Sequence, residues 1–277
     1  MFAFKEEFGA KDRGGWHLSE LILSSIADGV AVVTLNRADA LNALTPEMLG
    51  ELMELFQELD RNVQCRAIVL AGQPRAFSVG ADLKGRVAEY DSGGARDPMG
   101  EIVRELFSSM EKVSKPIIAA LAGYVLGGGL ELALACDLRI ADSTAKFGFP
   151  EANVGSMPGA GGTQRLTRLV GPGVAMELMF SGDRISADEA YRLGIVNKVV
   201  HENEAVSAAV EFGKKVATKA PLSIDRIKRS IYVAMSSDLA TGLEFEQISH
   251  AFLRGTEDRE EGMRAFVEKR PAKFIGR

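Results

Sequence analysis

The sequence predicts an α/β layered fold followed by a helical region, and three observations carry that prediction. Short valine- and isoleucine-rich runs alternate with segments whose apolar residues recur at helical spacing. From about Glu204 the strand-type runs give way to four helical segments in succession. At 277 residues and 46% hydrophobic content, the chain has ordinary globular composition and room for a substantial core. The expected division is an N-terminal extension over residues 1–20, an α/β core over 21–204 and a helical region over 205–277.

Val30–Leu35 reads as the first strand. Thr45-Pro46 opens a helix, a capping residue followed by proline at the first helical position. Met48, Leu49, Leu52, Leu55, Phe56 and Leu59 mark the apolar face of that helix. Ala67–Leu70 is a second strand, closed by Ala71-Gly72. Tyr90–Pro98, with Gly93-Gly94 inside it, reads as a loop. Ile102, Val103, Leu106, Phe107 and Met110 then mark another amphipathic helix. Pro116–Val125 is an apolar, strand-like segment, and Ile117–Leu121 within it reads as a third strand. Leu130–Cys136 is helix-like, and Leu138–Ala141 and Ala145–Phe149 are short strands. Glu204–Thr218, Leu222–Met235, Leu239–Leu253 and Arg259–Val267 read as helices, punctuated by Pro221 and Gly255.

Composition excludes several classes. A net charge of −5 argues against a general nucleic-acid footprint. No apolar run is long enough to cross a membrane. Met1–Gly15 carries mixed charge and no apolar signal core, so a cytoplasmic protein is expected. Cys65 and Cys136 lack metal spacing and read as buried thiols. His17, His201 and His250 share no motif, so no metal site is expected. Ser78 and Ser156 do not sit in a Gly-x-Ser-x-Gly elbow, and there is no Walker sequence.

Four segments carry chemistry. In Leu126-Gly127-Gly128-Gly129-Leu130-Glu131, glycines open a helix and aim bare N–H groups, with the positive end of its dipole, at whatever lies before it. That suits a developing oxyanion, and Glu131 stands within the first turn. Close helix-on-strand packing is the plainer alternative. In Arg75–Lys84, Gly80 can take a conformation that exposes the N–H of Ala81; a simple turn would use it equally well. In Phe149-Pro150-Glu151, the carboxylate follows Glu131 by twenty residues. Glu151 is either a second acid/base group or a solvated helix-starting carboxylate. Pro158–Leu166 resembles a dinucleotide fingerprint only weakly, because no clear strand precedes it, and reads better as a helix start beside the site.

Together these motifs resemble the enoyl-CoA hydratase/isomerase (crotonase) superfamily. The resemblance runs from about Ala31 to Phe274 and rests on Ala76–Lys84, Gly123–Ala133, Phe147–Glu151, Pro158–Leu166 and Glu261–Pro271. It implies a crotonase-like fold of repeated ββα units with a C-terminal helical oligomerisation region. It implies a thioester oxyanion hole made by the backbone N–H groups of Ala81 and Gly128. Glutamate at both Glu131 and Glu151 is similar to the hydratases, so addition of water to a 2-enoyl-CoA is expected. Ala81, Asp82, Leu83 and Lys84 would line the CoA path, with Phe266 and Lys269 meeting it from the C-terminal helix. CoA is part of the acyl-CoA thioester substrate, so no separate cofactor is implied; a homotrimer or homohexamer is. Ser78 and Val79 depart from common family pairs and are expected not to touch the hole. A branched-chain (methylglutaconyl-type) hydratase and an enoyl-CoA isomerase are the alternative reactions. An RNA-binding role would need a basic helix, and the first helix is acidic (Glu47, Glu51, Glu54, Glu58, Asp60).

Overall fold

A computed structural model of the chain describes residues 17–83, 85, 87 and 98–277. Its core repeats a strand–strand–helix unit four times. The first unit is β2 (Ile22–Ala27), β3 (Val30–Leu35) and α1 (Pro46–Arg61), preceded by a short edge strand β1 (His17–Leu18). The second is β4 (Ala67–Ala71), β5 (Ala76–Ser78) and α2 (Pro98–Met110). The third is β6 (Ile117–Leu121), β7 (Tyr124–Leu126) and α3 (Gly128–Ala135). The fourth is β8 (Leu138–Asp142), β9 (Lys146–Gly148) and, after a 3₁₀ turn at Pro150–Val154, α4 (Gly162–Ser181). Then come β10 (Ile185–Ser186), α5 (Ala187–Arg192), β11 (Lys198–Val200) and four helices: α6 (Ala205–Ala217), α7 (Pro221–Ala234), α8 (Leu239–Arg254) and α9 (Glu257–Val267).

The strands divide between two sheets, in the orders β1-β2-β3-β4-β6-β8-β11 and β10-β9-β7-β5. In the larger sheet every residue of β3, β4 and β6 is buried. Such strands read as unbroken apolar runs because both faces are covered. Alternation sends Val30, Val32, Val69 and Ile118 toward Ala205 and Ala209 of α6. Ala31, Val33, Ile68, Leu70 and Ile117 face the larger core with α1 and α2. The Thr45 hydroxyl accepts the Met48 N–H and caps α1, as its sequence predicts.

Ile117–Leu121 is the strand expected, and the longer strand-like segment around it needs correction. The strand-like segment Pro116–Val125 is two strands in different sheets. Gly123 takes φ +57 between them and turns the chain out of one sheet into the other; a β-carbon there would collide with Arg75 O. The last part of the expected N-terminal extension, His17–Leu18, pairs with β2, while residues 1–16 lie outside the described residues. The loop expected at Tyr90–Pro98 lies outside them up to residue 97, and α2 begins at Pro98.

Candidate active site

The smaller sheet gathers the site. Its strands β5, β7 and β9 are parallel, so their C-terminal ends open on one edge. From that edge β5 leads to Gly80-Ala81, β7 to Gly127-Gly128 and β9 to Phe149-Pro150-Glu151. Register is held by the Gly127 N–H donating to Gly148 O at 2.9 Å. Three of the expected groups thus come together from segments distant in sequence, and Glu131 joins them from the first turn of α3.

The backbone N–H groups of Ala81 and Gly128 lie close together there. A parallel bridge joins Leu44 and Ala81. It uses the Leu44 N–H to Gly80 O (2.8 Å) and the Asp82 N–H to Leu44 O (3.1 Å). Alternation along the extended segment therefore turns the Ala81 N–H to the opposite side. A β-carbon built on residue 128 would stand 3.6 Å from Ala81 N. Gly128 is the first residue of α3, where the helix has no carbonyl for its N–H. Gly80 holds φ +89, and a β-carbon there would come within 2.8 Å of Gly128 N. Glycine is needed at 80 for conformation and for clearance.

Ser78 bonds to the turn rather than to the N–H of Ala81 or Gly128. Its buried hydroxyl donates to Asn42 O (2.8 Å) and accepts the Gly80 N–H (3.1 Å). Asn42 in turn donates to Ala76 O and Phe77 O, both at 3.1 Å. The side chain of Ser78 therefore braces the turn that carries Ala81.

The carboxylates have different environments. Glu131 is 4% exposed, and its Oε1 accepts the N–H groups of Ala160 (2.7 Å) and Gly162 (2.8 Å) at the start of α4. Burial pushes its carboxyl up, and those N–H groups together with Arg165 pull it back toward the ionised form. Glu151 lies over Gly127, where a β-carbon would meet its Oε1 at 3.0 Å. Its Oε2 is buried with no hydrogen-bond partner. Burial, reinforced by the charge of Glu131, pushes Glu151 up to about 7. Two neighbouring carboxylates with separated proton affinities suit an acid and a base.

The expected CoA-path residues divide. Asp82 pairs with Arg37 at 2.7 Å and accepts the Gly85 N–H, and Leu83 is exposed beside the hole. Lys84 lies outside the described residues. Phe266 is 85% exposed on α9, and Lys269 follows that helix with φ +55. Helix α9 is tied to the chain's own C-terminal segment, where Asp258 accepts the N–H groups of Ile275 and Gly276. The described contacts of Phe266 and Lys269 do not reach the two glutamates. Among the described residues no three His, Cys, Asp or Glu side chains cluster as a metal site, and no helix is long and apolar enough to cross a membrane.

The chain belongs to the enoyl-CoA hydratase/isomerase family: the family's model matches residues 25–277. Among its relatives is the short-chain-enoyl-CoA hydratase of Clostridium acetobutylicum, 42% identical over 87% of this chain and 92% of that protein. The crotonyl-CoA hydratase of Syntrophomonas wolfei is 38% identical over 93% and 99%. A crystal structure of an enoyl-CoA hydratase from Bacillus anthracis superposes with a TM-score of 0.87 at 37% identity, covering 93% of this chain and all of that one.

Proposed function

We propose that this chain, an enoyl-CoA hydratase, adds water across the double bond of 2-enoyl-CoA thioesters through Glu131, Glu151 and the backbone N–H groups of Ala81 and Gly128. The observation that carries the site assignment is the meeting of both carboxylates with both donors at one edge of the smaller sheet. The thioester oxygen accepts from Ala81 and Gly128 and gains negative charge as water attacks the β carbon. Glu131, ionised, takes a proton from the water. Glu151, whose proton affinity lies near neutrality, delivers its proton to the α carbon. Transfer of the accepted proton from Glu131 to Glu151 restores the starting state. CoA enters with the substrate, and no separate cofactor takes part in these steps.

Ala81, Asp82, Leu83 and Lys84 are proposed to line the pantetheine and nucleotide path, joined by Phe266 and Lys269. A homotrimer or homohexamer is proposed on the exposed apolar side chains of α4, α7 and α8, among them Phe180, Ile227, Ile231, Leu239 and Leu243. In this reading residues 21–204 are the catalytic core and 205–277 the assembly region. The free, buried thiols of Cys65 and Cys136 fit a reducing compartment such as the cytoplasm.

The test supplies short, long and branched 2-enoyl-CoA esters and follows loss of the conjugated thioester absorbance. Hydroxyacyl-CoA should form from at least one ester. Glu131→Gln and Glu151→Gln should each lose about 10²–10⁴-fold in kcat. Wild-type turnover in either variant would remove the two-carboxylate mechanism. Isomerised product without hydroxyacyl-CoA would move the chain to the isomerase alternative.

A further inference from the structure

Residue 160 is gripped at both ends. Its N–H donates to Glu131 Oε1 at 2.7 Å, and its carbonyl accepts Arg165 Nη1 at 3.0 Å. The same guanidinium reaches across to α2, donating through Nη2 to Phe107 O at 3.3 Å. Glu111, in the turn just past that helix, holds it, with Oε1 at 2.7 Å from Nη2 and 3.1 Å from Nε. Gly161, between the two residues that bind Glu131, has φ +101, and a β-carbon there would collide with Arg165 Nη1. The arginine side chain is 19% exposed, so its pairing is more than a surface contact.

We propose that Arg165, held by Glu111, is a positioning residue for Glu131, acting through the Ala160–Gly162 turn that binds its carboxylate. The inference rests on the reading of Glu131 as one of the acid/base pair. A turn carrying two donors must keep both aimed at one oxygen. The turn's own backbone has glycine on either side of Ala160, at Gly159 and Gly161-Gly162, and is intrinsically permissive. The planar fork of Arg165 ties this permissive segment to a second helix, a job an ammonium could do only in part. Its charge also acts on Glu131 directly, drawing the carboxyl toward the ionised form that accepts the water's proton. Other charged groups in this region are Glu151 from the 3₁₀ turn and Glu111 behind the arginine, just past α2; Asp137 and Arg139 follow the far end of α3, and Lys228 of α7 pairs with Asp137.

The two members of the pair should therefore act in opposite directions. Arg165→Met should lower kcat about 10–100-fold. It should also move the acid limb of the kcat–pH profile to higher pH, with KM for the enoyl-CoA little changed. Arg165→Lys should restore the limb and part of kcat. Glu111→Gln leaves the arginine uncompensated and should move the limb to lower pH. A purely structural role would lower activity in both variants without these opposed shifts. Glu131→Gln runs alongside. If Glu131→Gln is inactive while Arg165→Met keeps the wild-type kcat and acid limb, this proposal alone is overturned. If Glu131→Gln turns over at the wild-type rate, the acid/base reading falls and this proposal with it. Where Arg165→Met is not recovered folded, Glu111→Gln decides, and an unmoved limb overturns the proposal.

Discussion

Replacing Glu151 by glutamine separates the energetic burden of its buried charge from its catalytic use. Burial lifts this carboxyl from its ordinary 4.5 to about 7 in the folded chain. At 1.36 kcal/mol for each tenfold change in proton affinity, that is about 3 kcal/mol between the protonated and ionised forms. The side chain is only part-buried, and halving the figure for solvent screening leaves about 1.5 kcal/mol. The sign follows from proton binding. The native state holds the proton more tightly than the unfolded chain, so wild-type stability is fully supported below pH 4.5 and falls as pH rises through 7. Glutamine does not titrate. The variant should therefore gain about 1.5 kcal/mol on the wild type between pH 4.5 and pH 8, while losing hydratase activity at every pH. Any hydrogen bond that the amide gains or loses contributes equally at both ends of that range and drops out. Urea denaturation of both proteins at matched concentration measures the difference, because any self-association would add to apparent stability. A stability gap that stays constant across that range would refute the burial argument.

Two further outcomes test the framework of the site. Gly80→Ala drives a methyl group against Gly128 N and Leu126 O and forces alanine to φ +89, so kcat should fall about 10²–10³-fold, read in the same absorbance assay. Lys228 donates to Met110 O (3.0 Å) and Lys115 O (3.2 Å) and pairs with Asp137 Oδ2 at 2.9 Å, both side chains largely buried. Lys228→Met should destabilise by about 3 kcal/mol by removing the countercharge of that carboxylate, which keeps the Ile117 N–H and the Tyr232 hydroxyl as donors. Adding Asp137→Asn should recover part of the loss in a double-mutant cycle.

What the sequence disclosed was what neighbours in the chain decide. Thr45-Pro46 specifies a helix start through contacts three residues long, and α1 begins there. The glycine triplet and Glu131 lie within one turn, so donor and carboxylate could be read together. The division into two sheets was hidden because Ile117–Leu121 and Tyr124–Leu126 are both apolar and only Ala122-Gly123 separates them. The partners of Glu131 were hidden for another reason. Ala160 and Gly162 bind through backbone N–H groups 29 and 31 residues away, and a backbone donor has no side-chain signature. Ser78 was legible as a residue type, but its role depends on Asn42, 36 positions earlier.

The parallel alignment of β5, β7 and β9 has an evolutionary consequence. Strand spacing of about 4.8 Å is set by main-chain pairing, so the places of Ala81 and Gly128 are inherited with the sheet itself. Most substitutions in this region leave those two donors standing. The carboxylates are side chains, each exchangeable by a single substitution. A lineage built on this edge can thus change what happens to an activated thioester without first rebuilding the means of activating it.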